Sequence, residues 1–302
     1  MPALAAITSK TKNARNKAVR LADVMMDSVD SRLQVAATPS ASMKLFTGVG
    51  VSYTGTTFPV NTSNWLHDLR PQLNGFHMRA GAWNQSYAAI PLGDRFLLSC
   101  GHNGPGIGNA LRYVKADGTI FDTTISKWIN DHPNVNQGSV SDTKQAYVTD
   151  LSVYVTASAL PEWVHRAPII DLPASTRATL TALNAPSIGV TQGNWNAGPA
   201  AAYGYYDTPD NRMVRVASLA GLTPGTTLRN PFYHYGVVGD SGTPDYALIE
   251  DTIYLLRVIL NGGGTGVYIS DHIGYINAMI ARGAAVAGIA PITISAVPNP
   301  IP

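Results

Sequence analysis

Hydrophobic positions divide the chain into two textures. In the first 42 residues, Val19, Ala22, Met26, Val29 and Leu33 recur at steps of three and four. That spacing gathers them into one stripe and predicts an amphipathic helix of about 25 residues. Lys10, Lys12, Arg15, Lys17 and Arg20 precede Asp23, Asp27 and Asp30 along it. Bases at the N-terminal end oppose the helix dipole, so this helix needs support from elsewhere. The stretch "AATPSASM" then reads as a linker.

After this segment the period shortens. "FTGVGVSYTG", "RFLLSC", "LRYVKADGTIF", "AYVTDLSVYVT", "PSIGVTQG", "MVRVASLAG", "TIYLLRVILNGGG" and "TGVYIS" are short apolar runs bounded by Gly, Pro, Asn, Asp and Thr. Each reads as a strand or hairpin, and the Asp-Gly of "KADGT" is a hairpin turn signal. Many short strands at close spacing predict an all-β sandwich or barrel. The last regular element is "SDHIGYINAMIARG", a helix capped by Ser270 or Asp271. Ile273, Ile276 and Ile280 form its apolar face, and Gly283 stands where a left-handed terminating glycine is expected. The tail "APITISAVPNPIP" is too rich in proline to continue it. No internal repeat is evident.

Composition narrows the function classes. The 302 residues are 45% hydrophobic and only 13% charged, the profile of a packed globular chain. A net charge of +2 makes no global electrostatic case for nucleic acid, and Lys10 to Arg20 read as a solvated helix face. Cys100 is the sole cysteine, so no intramolecular disulfide forms, and it reads as a small buried hydrophobe. "MPALAAITSKTKNARNK" lacks the apolar core of a secretory signal, and no run reaches the length of a membrane span. Synthesis in the cytoplasm and no membrane partner are the corresponding expectations. His67, His77, His132, His165, His234 and His272 show no metal-type spacing, so neither a metal nor another cofactor is expected.

One stretch carries candidate chemistry. "YGVVGDSGTPDYALI", residues 235–249, sets Asp240-Ser241 between Gly239 and Gly242. A serine hydroxyl attacks only when a neighbouring base takes its proton. The two glycines permit a tight turn that aims the N–H groups of Gly239 and Ser241 at one point, as an oxyanion hole requires. The candidate base is His102, which follows the apolar strand of "DRFLLSCGHNG". The candidate acid is Asp150, at the start of the alternating run in "AYVTDLSVYVT". There it would hold an imidazole in one tautomer.

The order His102, Asp150, Ser241, with separations of 48 and 91 residues, resembles that of the chymotrypsin-like serine proteases. "GDSGTP" is similar to the family's GDSGGP, with Thr243 in place of the second glycine. "LLSCGHNG" is similar to the TAGHC segment of bacterial members, and "TDLSVYVT" to the family's Asp-Ile/Leu-Ala-Leu strand. "GVYISDHIGYINAMI" resembles its Gly-Val-Tyr strand and closing helix. The likeness spans about residues 75–282 and fits the disulfide-free bacterial and viral or phage branches.

The resemblance implies two six-stranded antiparallel β-barrels, at 43–165 and 166–282, with the triad between them. They would be flanked by a basic helical arm at 1–42 and a Pro-rich tail at 283–302. It implies a serine endopeptidase acting on polypeptide, with Tyr235 at the pocket floor and Gly264 and Gly266 on its walls. A neutral phenol at the floor argues against selecting Lys or Arg. Asp240 has no freed N-terminus of the family's kind to pair with.

A second reading gives the chain a structural role in a virus or phage particle, as a capsid, decoration or tail protein, with the triad vestigial or active. Terminal segments such as 1–42 and 283–302 fray when nothing holds them, and a large assembly would hold them. The scarcity of glutamate, with only Glu162 and Glu250, suits a low-charge, virion-associated protein.

Overall fold

The computed structural model describes residues 2–47, 58–75, 77–80, 88–102, 104–130, 150–191, 213–219, 227–233, 241–260 and 266–301. Helix α1 runs from Pro2 to Val35 and a short α2 from Pro39 to Ser42. A kinked 3-10 segment, His67–Gly75, leads into the first sheet.

That sheet contains β1 (His77–Ala80), β2 (Ile90–Pro91), β3 (Phe96–Cys100), β4 (Ala110–Val114), β5 (Ile120–Asn130) and β6 (Leu151–Thr156), in the order β1-β4-β5-β6-β3-β2. Every pairing is antiparallel. β5 serves two neighbours in succession: residues 120–124 pair with β4, and Ile125 onward pairs with β6, with a register shift between Ile125 and Lys127. The Ser126 hydroxyl at the shift donates to the Val155 carbonyl (3.0 Å), and such a bulge bends and twists a strand.

The second sheet contains β7 (Ile169–Asp171), β8 (Pro186–Thr191), β9 (Met213–Ser218), β10 (Pro244–Ile249), β11 (Thr252–Ile259), β12 (Gly266–Tyr268) and β13 (Ala296–Pro298). Its order is β13-β7-β11-β10-β8-β9, with β12 also paired to β11. Helix α3 (Ala174–Ala182) lies between β7 and β8 in sequence, and α4 (Ile273–Ala287) follows β12.

The two closed six-stranded barrels expected from the sequence are therefore not formed. The fold is mixed α/β, with two open sheets. Closure would require the edge strands of a sheet to pair, and β1 and β2 stand at opposite edges of the first. β2 is only two residues long, and its Pro91 has no N–H to offer a partner. In the second sheet β7 runs parallel to both β11 and β13. A parallel pair needs a crossover connection rather than a hairpin.

The Pro-rich tail, read only as unable to continue the helix, supplies β13, in register Ala296↔Ile169 and Pro298↔Asp171. The Asn277 amide clasps its approach, donating to the Ile294 carbonyl (2.9 Å) and accepting from the Ile294 N–H (2.8 Å). Helix α4 continues past Gly283 to Ala287, and Gly288, at φ +64°, is the left-handed terminator. Gly283 instead faces Val155, Ile129 and Phe96 of the first sheet, where a Cβ would crowd Val155 and Ile129. This glycine lets a helix that follows the second sheet rest on the first.

Alternation along the strands sorts side chains between three apolar layers. Phe96, Leu98, Val153 and Val155 from the first sheet join Tyr246, Leu248, Ile253 and Leu255 from the second in one core that also takes Ile276 and Ile280 of α4. The intervening residues face outward to separate layers. Leu97 and Tyr154 pack with Leu111 and Tyr113, while Ala247, Ile249 and Leu256 pack under α1 and α3. Helix α1 buries Ala18, Leu21, Ala22, Met25, Val29 and Leu33, a stripe rotated slightly from the expected one. Asp30 on the same helix accepts two bonds from Arg229, at 2.6 and 2.7 Å. Support for α1 thus comes from within the chain. Among the described residues no helix is long and apolar enough to cross a membrane.

Burial, with a smaller effect of the Arg166 charge, holds the His165 imidazole below its ordinary value. Burial lowers His272 as well, partly offset by Asp271. The unfolded chain therefore takes up these protons first, as pH falls through about 6.5. Their contribution is complete above that pH and is lost as pH falls on through the lower folded-state values. The urea midpoint is expected to be lower at pH 5 than at pH 7.5, and His165→Gln should narrow the gap. An identical gap in that variant would contradict this assignment.

Candidate active site

β3 and β6 pair antiparallel with Cys100 opposite Leu151. The residues just after β3 and just before β6 therefore emerge side by side. This register brings Gly101-His102 against Asp150. The Gly101 N–H donates to the Asp150 carbonyl (2.7 Å). Oδ1 of Asp150 accepts from the N–H groups of Gly101 and His102, each at 3.1 Å. Oδ2 is hydrogen-bonded to Nδ1 of the His102 ring. An ionised carboxylate only accepts, so the ring proton lies on Nδ1 and Nε2 is left as the basic nitrogen. Asp150 is largely covered, whereas the imidazole is about one-third exposed (17% against 37% for the side chains).

The loop that carries His102 is braced from behind. Tyr154, buried on β6, donates its hydroxyl to the Cys100 carbonyl (3.0 Å) and stacks on Trp128 with ring centroids 6.0 Å apart. Burial drives the phenol's pKa well above its ordinary value, so it remains a donor. Gly104 lies against that hydroxyl and the Cys100 carbonyl, and a Cβ there would collide with both. Sequence reasoning missed Tyr154; its only signal is a phenol in the middle of the strand "LSVYVT".

Ser241 and Gly242 form the turn that opens β10. Gly242 has φ +87°, a conformation that favours glycine. Its N–H donates to the Ile259 carbonyl (2.7 Å), and the Ile259 N–H donates to the Thr243 carbonyl (2.9 Å). The turn is thereby fixed to β11. Thr243, where the resembled motif has glycine, is accommodated with its side chain buried.

The open face of Gly242 rests on β3. A Cβ there would strike the Ser99 hydroxyl and crowd the Ala88 carbonyl and the Cys100 N–H. Ser99 is held in place by donating to that same Ala88 carbonyl. The serine turn from the second sheet thus seats on the end of the strand that leads, two residues later, to His102. Ser241 itself is buried, and its hydroxyl makes a long bond to the Leu260 carbonyl (3.3 Å). No hydrogen bond joins Ser241 and His102, and the Ser241 N–H donates to no acceptor among the described residues.

The remaining sequence candidates divide. Gly266 opens β12 opposite Ile259, and a Cβ there would collide with the Val258 carbonyl. Close strand approach thus requires a glycine at this position whatever else it lines. Tyr235, Gly239, Asp240 and Gly264 lie outside the described residues. Cys100 is fully buried, two residues before the imidazole. Among the described residues no cluster of His, Cys, Asp and Glu is placed to hold a metal ion. In comparisons with known proteins, no protein-family model matches the chain and no curated protein matches its sequence.

Proposed function

We propose that the chain is a serine hydrolase, an endopeptidase, with Ser241 as nucleophile, His102 as general base and acid, and Asp150 as the orienting acid. The observation that carries this is the Asp150–His102 pair at the strand end on which the Ser241-Gly242 turn is seated. The Ser241 hydroxyl attacks the scissile carbonyl carbon while its proton passes to His102 Nε2. The carbonyl electrons move onto oxygen, where the N–H groups of Ser241 and Gly239 stabilise them. Collapse expels the amine, which takes the proton from Nε2, and water then releases the acyl group by the same route. The motif resemblance around the three residues supports peptide as the substrate class.

A fluorophosphonate probe tests this reading. The native protein is expected to be labelled at Ser241, and Ser241→Ala and His102→Ala are expected to lose labelling while keeping the native unfolding midpoint. A folded native protein that resists the probe, or labelling that survives Ser241→Ala, would overturn it.

A second reading, a component of a larger particle, is favoured by a different observation. The helical stretch Asn13–Lys17 is exposed along its whole length. The C-terminal tail gives this reading less support, because its own chain holds it.

A further inference from the structure

The exposure of helix α1 changes along its length. Among the described side chains, burial begins at Ala18, and every residue from Asn13 to Lys17 is exposed. The sixteen helical residues ahead of Ala18 extend about 24 Å at 1.5 Å per residue. Their charge is of one sign. Lys10, Lys12, Arg15 and Lys17 lie in this stretch, Arg20 follows, and the first acid in the chain is Asp23. Helical spacing sets positions 10 and 17 on one face and 12 and 15 on the opposite one.

The net charge of +2 conceals this polarity. Five of the 21 cations precede the first acid, which leaves 16 cations against 19 acids, a net −3, for the rest of the chain. A basic segment thus precedes a weakly acidic remainder of the chain. Its cations also sit at the end of the helix dipole that disfavours them. A polyanion laid along it relieves that penalty.

We propose that the basic N-terminal half of α1 binds the phosphate backbone of nucleic acid. Thr8, Ser9, Thr11, Asn13 and Asn16 are interleaved with the cations, and such side chains are common hydrogen-bond partners of phosphate and sugar oxygens. Residues 1–35 contain no Phe, Trp or Tyr. Without aromatic rings there is no stacking platform for bases, so binding is independent of sequence. The same absence disfavours a membrane surface, where such helices use bulky apolar and aromatic anchors.

The test is binding of the full chain to a fluorescein-labelled 20-nucleotide single-stranded RNA of mixed sequence, read by anisotropy between 50 and 200 mM NaCl. With four phosphates neutralised, the slope of log K against log salt is expected near −3, roughly a fiftyfold loss across that range. A DNA strand of the same length should bind comparably. The quadruple variant K10Q/K12Q/R15Q/K17Q is expected to lose at least about tenfold in affinity at 50 mM and to flatten the slope. Its urea midpoint should stay near native, because the changed positions precede the buried stripe. Ser241→Ala should bind RNA as the native chain does, which separates this proposal from the hydrolase. Absence of binding at 50 mM, equal binding by the quadruple variant, or a slope near zero would overturn it. So would tighter binding to phosphatidylserine vesicles than to RNA, or RNA-independent self-association that the variant relieves.

Discussion

Asp150→Asn is expected to slow reaction with a fluorophosphonate or a peptide substrate by about 10⁴-fold while leaving the fold intact, the scale of effect when an orienting acid is lost from such a triad. The hydrogen bonds around the carboxylate explain why so small a change is so damaging. Oδ1 accepts from two backbone N–H groups, those of Gly101 and His102. An asparagine must therefore keep its carbonyl oxygen at that position and turn its NH2 toward the ring. Nδ1 of His102 then has to accept, so the ring proton moves to Nε2, the atom that must take the serine proton. The base is blocked without being displaced. Single-turnover labelling at pH 7.5, with urea midpoints for both proteins, checks this. A variant that reacts within tenfold of native would remove Asp150 from the proposed mechanism.

The largest expected loss of stability comes from Arg257→Leu. Asp245 on β10 and Arg257 on β11 are cross-strand partners, and both are almost fully buried. Two guanidinium nitrogens donate to Asp245 Oδ2, at 3.0 Å from Nε and 2.6 Å from Nη2. Removing the cation leaves a carboxylate in the interior, a change that costs about 3–5 kcal/mol. Replacing both members with apolar residues is far milder, because no charge remains to be buried. Denaturant unfolding of Arg257→Leu and of Asp245→Leu/Arg257→Leu should therefore place the double variant nearer to native than the single. A single variant within about 1 kcal/mol of native would show that the pair is not needed. The effect reaches the site, since Asp245 lies four residues after Ser241 on the strand that the serine turn opens.

The pairing of Asp150 with His102 is readable in the sequence because each residue flanks a strongly apolar strand. Antiparallel pairing of those strands in the observed register leaves little freedom at their ends. The serine turn is readable from its glycines, and Gly242 does adopt the left-handed conformation. Architecture is harder to read because it depends on which distant edges meet. Nothing local in "AVP" marks β13, three residues with a proline that join a sheet only because β7 offers a parallel edge. Helix α3, "ASTRATLTA", is rich in threonine and has only Leu180 fully buried, so its pattern is faint. Barrel closure is likewise a property of edge strands. The pattern of β3 and β6 is the same whether or not β1 and β2 meet. At α4, Gly283 and Gly288 are equivalent as sequence signals, and only packing against Phe96, Ile129 and Val155 separates a contact glycine from a terminating one.

The parallel seam between β7 and β13 has a consequence for synthesis. Ile169 leaves the ribosome about 130 residues before its partner Ala296, an interval on the order of ten seconds at ordinary elongation rates. Throughout it one edge of β7 has no strand to pair with, and an unpaired edge is a template for association with other chains. The nascent protein is thus most vulnerable to aggregation while its second sheet is assembled but for this strand, and a chaperone that shields that edge would raise its yield more than one acting on the finished fold.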